Sequence, residues 1–221
     1  MIARSRECAP GSLRAFRGIS YAVRRIALTG GIATGKSHVR ARFESLGVPT
    51  IDSDLLAHQA VAPGSAGLAA VTAQFGPQVL DADGRLDRRK LAHIVFTNAD
   101  ARKALEAIVH PEVQKVTDAW FGDLDSRGTA FAVADIPLLY EVSRDRDFDA
   151  VIVAACNPET QLRRLMERDR LTEAEARRRI DAQLPIDEKV RRADFLIRTD
   201  GSVDDTNRQV DELVQRLAVT P

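Results

Sequence analysis

The chain has almost no cysteine and little histidine. Two Cys, Cys8 and Cys156, and four His are spread over 221 residues. Two thiols cannot make a disulfide framework, and their spacing matches no zinc pattern, which excludes a stapled secreted domain and a structural metal site. No apolar run approaches the roughly 18 residues that a membrane span needs. An excess of either charge is missing too: Lys plus Arg number 32, Asp plus Glu number 32, and the formal net charge is zero. A general nucleic-acid coat draws its affinity from surplus cations, so that class is disfavoured and no nucleic-acid partner is expected. What is present is an ordinary globular balance, 44% hydrophobic and 29% charged, in a length that fits one core with a modest insert. These features suit a reducing, aqueous compartment, and a cytoplasmic protein is expected.

Residues 1–24 differ from the rest. Arg4, Arg6, Arg14, Arg17 and Arg24 face a single acid, Glu7, and no apolar stretch of a secretory signal is present. An organellar transit peptide, a disordered basic tail and a start placed too early are three readings of this segment. The last is favoured, because Val23 can be read from a GTG start codon and the first good strand begins just after it.

From Arg25 the pattern is α/β. Short apolar runs that suit buried parallel strands lie at Ile26–Thr29, Pro49–Asp52, Ala130–Asp135, Ala150–Ala155 and Phe195–Arg198. Helical patterns cover Lys36–Ser45, Pro158–Arg168 and Val203–Leu217. Such alternation predicts right-handed βαβ units and a five-stranded parallel sheet covered by helices. The stretch from Leu55 to Arg127 is helical in pattern without a convincing strand, so it is read as an insert outside the sheet. Turn signals divide it, among them Asp81 to Gly84 and His110-Pro111, where a helix start is expected.

The strongest chemical signal follows the first strand. Gly30-Gly31-Ile32-Ala33-Thr34-Gly35-Lys36-Ser37 satisfies G-x-x-x-x-G-K-[ST] at every position. The glycines let backbone N–H groups turn toward phosphate oxygens, and the new helix adds the positive end of its dipole. Lys36 is expected on the β- and γ-phosphates and the Ser37 hydroxyl on Mg²⁺. The guanine-reading N-K-x-D is missing, and the one D-x-x-G match, at Asp81, reads as a turn. A small-molecule kinase leads over GTPases and long motor ATPases.

The second strand ends in Asp52-Ser53-Asp54. Strand C-termini of an open α/β sheet face the ligand crevice, so the two carboxylates can serve as base and metal-shell acceptor. The alternative is that Asp52 or Ser53 simply caps the next helix. Asp135 ends the third strand, where an acid can hold Mg²⁺ through water; a helix cap before Pro137 is an equal reading. Seven arginines lie between Leu162 and Arg179. Of these, Arg164 and Arg168 share one helix face and can meet phosphoryl oxygens bidentately, whereas the others read as a solvated face.

These motifs together resemble the dephospho-CoA kinase family. The resemblance rests on Leu28 to Ser37, Ile51-Asp-Ser-Asp54 with His58, and Asp83-Gly84-x-Leu86-Asp87-Arg88. It extends to His110-Pro111, Ile136-Pro-Leu138-Leu-x-Glu141, and Gln161-Leu-x-Arg164-x-x-x-Arg168, and covers Arg25 to the C-terminus. It implies a P-loop three-layer α/β sandwich with a core at 25–54 and 128–221, a helical CoA-binding insert at about 55–127 and a lid at about 157–190. It implies ATP-dependent phosphorylation of the ribose 3′-hydroxyl of dephospho-CoA, with ATP and Mg²⁺. Asp54, Lys36 and Arg164 are the implied catalytic residues. Gly31 to His38 and Arg168 would bind ATP, while Asp52, His58, Arg88, His110 and Leu138 would bind the acceptor; Ser37 and Asp135 would serve the metal. A monomer is expected, with an oligomer left open. Three positions depart from the family. Ala33 replaces a usual glycine, tolerable if its φ is negative; His38 stands where a small residue is common; and Thr199-Asp200 replaces an Asn pair near the adenine.

Overall fold

A computed structural model describes residues 23–219 of the chain. The arginine-rich leader before Val23 lies outside the described residues, and so does every reading made of it.

Five strands form one parallel sheet: β1 (Arg24–Gly30), β2 (Thr50–Asp52), β3 (Phe131–Asp135), β4 (Ala150–Ala155) and β5 (Phe195–Arg198), in spatial order β2-β3-β1-β4-β5. The three central strands are buried along almost their whole length because helices cover both faces. On one face Ile26, Leu28, Val133 and Ile152 pack against α1 (Lys36–Ser45) and α9 (Val203–Val219) through Val39, Phe43, Leu213 and Leu217. On the other, Ala27, Ala134, Val151 and Val153 pack against Phe121 and Leu124 of α5 (Ala99–Ser126) and against Val190 of α8 (Ile186–Arg192). The period-two alternation of β1 thus feeds two cores at once. The sheet order puts β1 at the centre, so the loop after it opens between β3 and β4 at the carboxyl edge.

The stretch after β2 is helical, as its pattern predicts. It comprises α2 (Ser53–Ala60), α3 (Ala66–Phe75), α4 (Arg88–Thr97) and the first half of α5, joined over Val61, Val71, Phe75, Val79 and Leu91 in a small core of its own. Asp81 to Gly84 is a turn, with Gly84 at φ 74° and its N–H on the Asp81 carbonyl at 3.1 Å.

The expected break at His110-Pro111 does not exist. Pro111 lies inside the 28-residue helix α5, and His110 is an exposed mid-helix residue. Proline there removes one backbone donor, at a cost of about 3 kcal/mol in a free helix. Both halves of α5 are nonetheless held by packing: Leu105, Ile108 and Val109 in the insert core, and Phe121 and Leu124 on the sheet. Burial of several large apolar groups, each worth about 1.5–3 kcal/mol, outweighs that local penalty.

After β4 come α6 (Pro158–Asp169) and α7 (Glu173–Asp181), and α8 then returns the chain to the sheet. Asn157 caps α6 through Thr160 N–H at 2.7 Å, with Pro158 in the first turn. Thr172 and Glu175 close a capping box on α7. These local signals set the helix starts. Among the described residues no helix is long and apolar enough to cross a membrane.

Candidate active site

Gly30 to Ser37 wraps around the mouth of a cleft of about 690 Å³, which also takes in Asp54, Pro137, Arg164, Arg168, Gln183 and Thr199. Gly35 caps α1 with φ 85°, a left-handed conformation that side chains disfavour. A Cβ on Gly31 would fall 2.7 Å from the Gln161 amide nitrogen. Ala33 corrects an expectation: its φ is +58°, not negative. An alanine is held where glycine is the unstrained choice, at a cost of about 1–2 kcal/mol. The Thr34 side chain is buried, and its hydroxyl donates to Gly31 O at 2.9 Å, which closes the turn around that position.

Lys36 and Arg40 stand one helical turn apart on α1 and reach the same carboxylate. Lys36 Nζ pairs with Asp135 Oδ1, and Arg40 Nη1 lies 3.3 Å from Asp135 Oδ2. Burial pushes the Asp135 carboxyl up, against the pull of both cations. The cap reading for Asp135 is excluded, because residues 137–143 form turns and no helix starts at Pro137. Pro137 O instead accepts from Thr29 Oγ1 at 3.1 Å and from Lys189 Nζ at 3.1 Å.

The two aspartates after β2 separate in role. Asp52 caps α2: its Oδ1 accepts from Asp54 N–H at 2.9 Å and Leu55 N–H at 3.2 Å, while Oδ2 pairs with Arg40. Burial alone would raise Asp52, but the Arg40 hydrogen bond and the Leu55 N–H outweigh it and hold the carboxyl low. Asp54 makes no hydrogen bond with its carboxylate among the described residues and faces the cleft. Loss of solvent around it and the neighbouring Asp52 charge push its carboxyl up; Lys36 and His58 pull the other way. A carboxylate with a raised pKa and free oxygens is equipped to accept a proton.

Arg164 and Arg168 both line the cleft from α6. Arg164 is braced by Thr199, donating to its carbonyl at 2.7 Å and its hydroxyl at 3.2 Å. Arg168 pairs with Asp169 at 2.8 Å. The other arginines sit as a solvated face: Arg177 pairs with Glu173 at 2.7 Å, and Arg179 with Asp169 at 2.8 Å. His38 lines the cleft and its Nε2 is 2.9 Å from Asn207 Oδ1. His58, Arg88, His110 and Leu138 are exposed, and neither they nor Asp52 line this cleft.

Three residues of the site have no motif to announce them. Arg40 ties α1 to the ends of β2 and β3; its i, i+4 spacing from Lys36 was the available signal. Gln183, between α7 and α8, accepts the Ile32 N–H at 2.8 Å. Lys189 is fully buried and meets Glu141 at 2.8 Å and the Gly30 carbonyl at 3.2 Å, and burial lowers its pKa. No local pattern could have signalled the last two.

A phosphate-cradling loop on the central strand of a parallel sheet, with an acid and two arginines across the cleft, defines the class of phosphate-loop kinases. A shikimate kinase from Bacteroides thetaiotaomicron shares the fold, with TM-score 0.50 at 14% identity over 89% of this chain and 99% of that one. The dephospho-CoA kinase family model matches residues 24–205, and the chain belongs to that family. A dephospho-CoA kinase of Geobacillus kaustophilus is 47% identical over 185 residues, 84% of this chain and 92% of that one. A dephospho-CoA kinase domain-containing protein of Danio rerio is 40% identical over 87% of this chain and 84% of its own length. The structure of the Campylobacter jejuni dephospho-CoA kinase superimposes with TM-score 0.68 at 31% identity, covering 88% of this chain and 96% of that one.

Proposed function

We propose that this enzyme transfers the γ-phosphoryl group of ATP to the ribose 3′-hydroxyl of dephospho-CoA, giving CoA and ADP. One observation carries the reading: in a chain of this family, Lys36, Asp54, Arg164 and Arg168 converge on one cleft from three separate helices. The 3′-oxygen forms the new P–O bond as the bond from the γ-phosphorus to the β,γ-bridging oxygen breaks. Asp54 accepts the hydroxyl proton, and ADP leaves with the bridging oxygen. Residues Gly31 to His38 surround the phosphates and hold them through loop N–H groups other than that of Ile32, which Gln183 takes; Lys36 neutralises the β- and γ-oxygens, and Arg164 and Arg168 meet charge on the transferred group.

The donor set suits Mg²⁺. The Ser37 hydroxyl faces the cleft without a side-chain partner among the described residues, and Asp135 offers a carboxylate at the strand end. Mg²⁺ takes few protein ligands beside water and phosphate oxygens, and when bound it neutralises charge on the phosphates. On the acceptor side, Asp52 orients α2, and the exposed His58, Arg88, His110 and Leu138 form the dephospho-CoA surface. The insert at about 55–127 is then the CoA-binding region and 157–190 the lid. The enzyme acts as a monomer in the cytoplasm on small molecules, with no nucleic-acid partner.

An ADP-release assay with dephospho-CoA, adenosine and nucleoside monophosphates run in parallel tests the reading. Turnover confined to dephospho-CoA is expected. Faster turnover with another acceptor, or ATP binding with no transfer to any of them, overturns it.

A further inference from the structure

Gln183 lies 151 positions from Ile32 in sequence, yet its Oε1 accepts the Ile32 backbone N–H at 2.8 Å. An N–H can face only an acceptor, so this contact fixes the amide's orientation and turns the NH₂ group to the other side. The Nε2 atom has no hydrogen-bond partner among the described residues and is not buried, and Gln183 is a lining residue of the cleft. We propose that Gln183 is a catalytic residue of the transfer reaction, donating from Nε2 to an oxygen of the phosphoryl group in transit.

Placement and rigidity both support this. Ile32 is at the tip of the phosphate loop, and its peptide is clamped from two sides: Gln183 on its N–H, Gln161 Nε2 on its carbonyl at 2.9 Å. The backbone beside Gln183 is fixed as well. Leu184 N–H donates to Glu141 Oε1 at 3.0 Å, and that same oxygen meets the buried Lys189 Nζ at 2.8 Å. Lys189 in turn holds the carbonyls of Gly30 and Pro137, at 3.2 and 3.1 Å. A donor braced at side chain and backbone needs no reorganisation when charge develops beside it, which is where a neutral N–H contributes most to a phosphoryl transition state. Lys36, Arg164 and Arg168 compensate the bulk of that charge; Gln183 adds direction from the α7–α8 side.

The inference rests on the kinase reading, and its test separates the two. Gln183→Glu keeps an acceptor for Ile32 and the shape of the side chain but replaces both donors with an anion. Gln183→Leu removes acceptor and donors together. In both, kcat for dephospho-CoA is expected to fall about 10²-fold, the loss typical of one transition-state donor. Affinity for ATP should weaken while affinity for ADP, which lacks the γ-group, stays unchanged. Near-normal kcat in Gln183→Glu would make the contact purely structural and overturn the proposal. Tighter ATP binding with undiminished kcat in Gln183→Leu would also overturn it, by making Gln183 a placeholder that the phosphate displaces. If the wild-type protein did not phosphorylate dephospho-CoA, the functional reading would fall, and the ATP-against-ADP titration would still decide the role of Gln183.

Discussion

The Asp52 carboxylate accepts the backbone N–H of Asp54 at 2.9 Å, so one aspartate holds in place the helix turn that carries the other. Asp52 is spent on Arg40 and on the cap, whereas the Asp54 oxygens remain free toward the phosphate loop. The pair therefore divides into a positioning group and a proton acceptor.

Asp54→Asn keeps the shape of the side chain and removes its basicity. Turnover should fall by about 10²-fold or more, the range of acid–base groups, while ATP affinity stays the same because the loop is untouched. Steady-state rates with a nucleotide titration check this. Normal turnover in Asp54→Asn beside an inactive Asp52→Asn would exchange the two roles.

The pH profile carries a second signature. Loss of solvent and the Asp52 charge raise the Asp54 carboxyl, so its proton is gained at a higher pH than an ordinary aspartate's, about 3.9. The base works only when deprotonated; kcat/KM should therefore fall on the acid side, with a midpoint above that value. Asp52→Asn retains a good capping residue but removes the neighbouring charge, so the acid limb should move to lower pH. An unmoved limb would assign it to another group.

Lys36→Ala should lower turnover by at least about 10²-fold without unfolding the chain, because Asp135 keeps Arg40 at 3.3 Å. Lys36→Arg should rescue little, since a planar fork does not replace a compact ammonium inside a tight loop. Circular dichroism beside the kinetic assay separates lost chemistry from lost fold.

Lys189→Met tests the buried ion pair behind the loop. Its side chain is 0% exposed and Glu141 21% exposed, and removing one partner leaves the other charge uncompensated. The expected loss is about 3 kcal/mol, read from the denaturant midpoint. Adding Glu141→Leu should return part of that, though not all, because Leu184 N–H loses its acceptor.

Much of the molecule was legible in the residues. Strands Ala150–Ala155 and Phe195–Arg198 and helix Lys36–Ser45 lie where their patterns place them. Lys36, Asp54, Arg164 and Arg168 meet in the one cleft their motifs suggest. His58, Arg88, His110 and Leu138 do not line it; the family motif alone singles them out, and no local geometry does. At Pro111 and at Ala33 the local rules pointed the wrong way: a proline reads as a break, and an alanine reads as negative φ. The structure overrules both, the first through packing at the two ends of α5, the second through a loop held by Thr34, Gln161 and Gln183.

The sequence by itself determined the elements and the chemistry of the loop, because hydrophobic period, helix caps and glycine spacing act over a few residues. Only the tertiary structure decided which aspartate is free, where Asp135 finds its cations and which glutamine faces the phosphate tip. The first rests on Arg40 reaching Asp52 from another element, 12 positions away, and the other two on contacts between residues 95 to 151 positions apart. Such contacts exist only once a parallel sheet has brought the ends of β1, β2 and β3 together, and no short-range pattern encodes which side chains will then be neighbours.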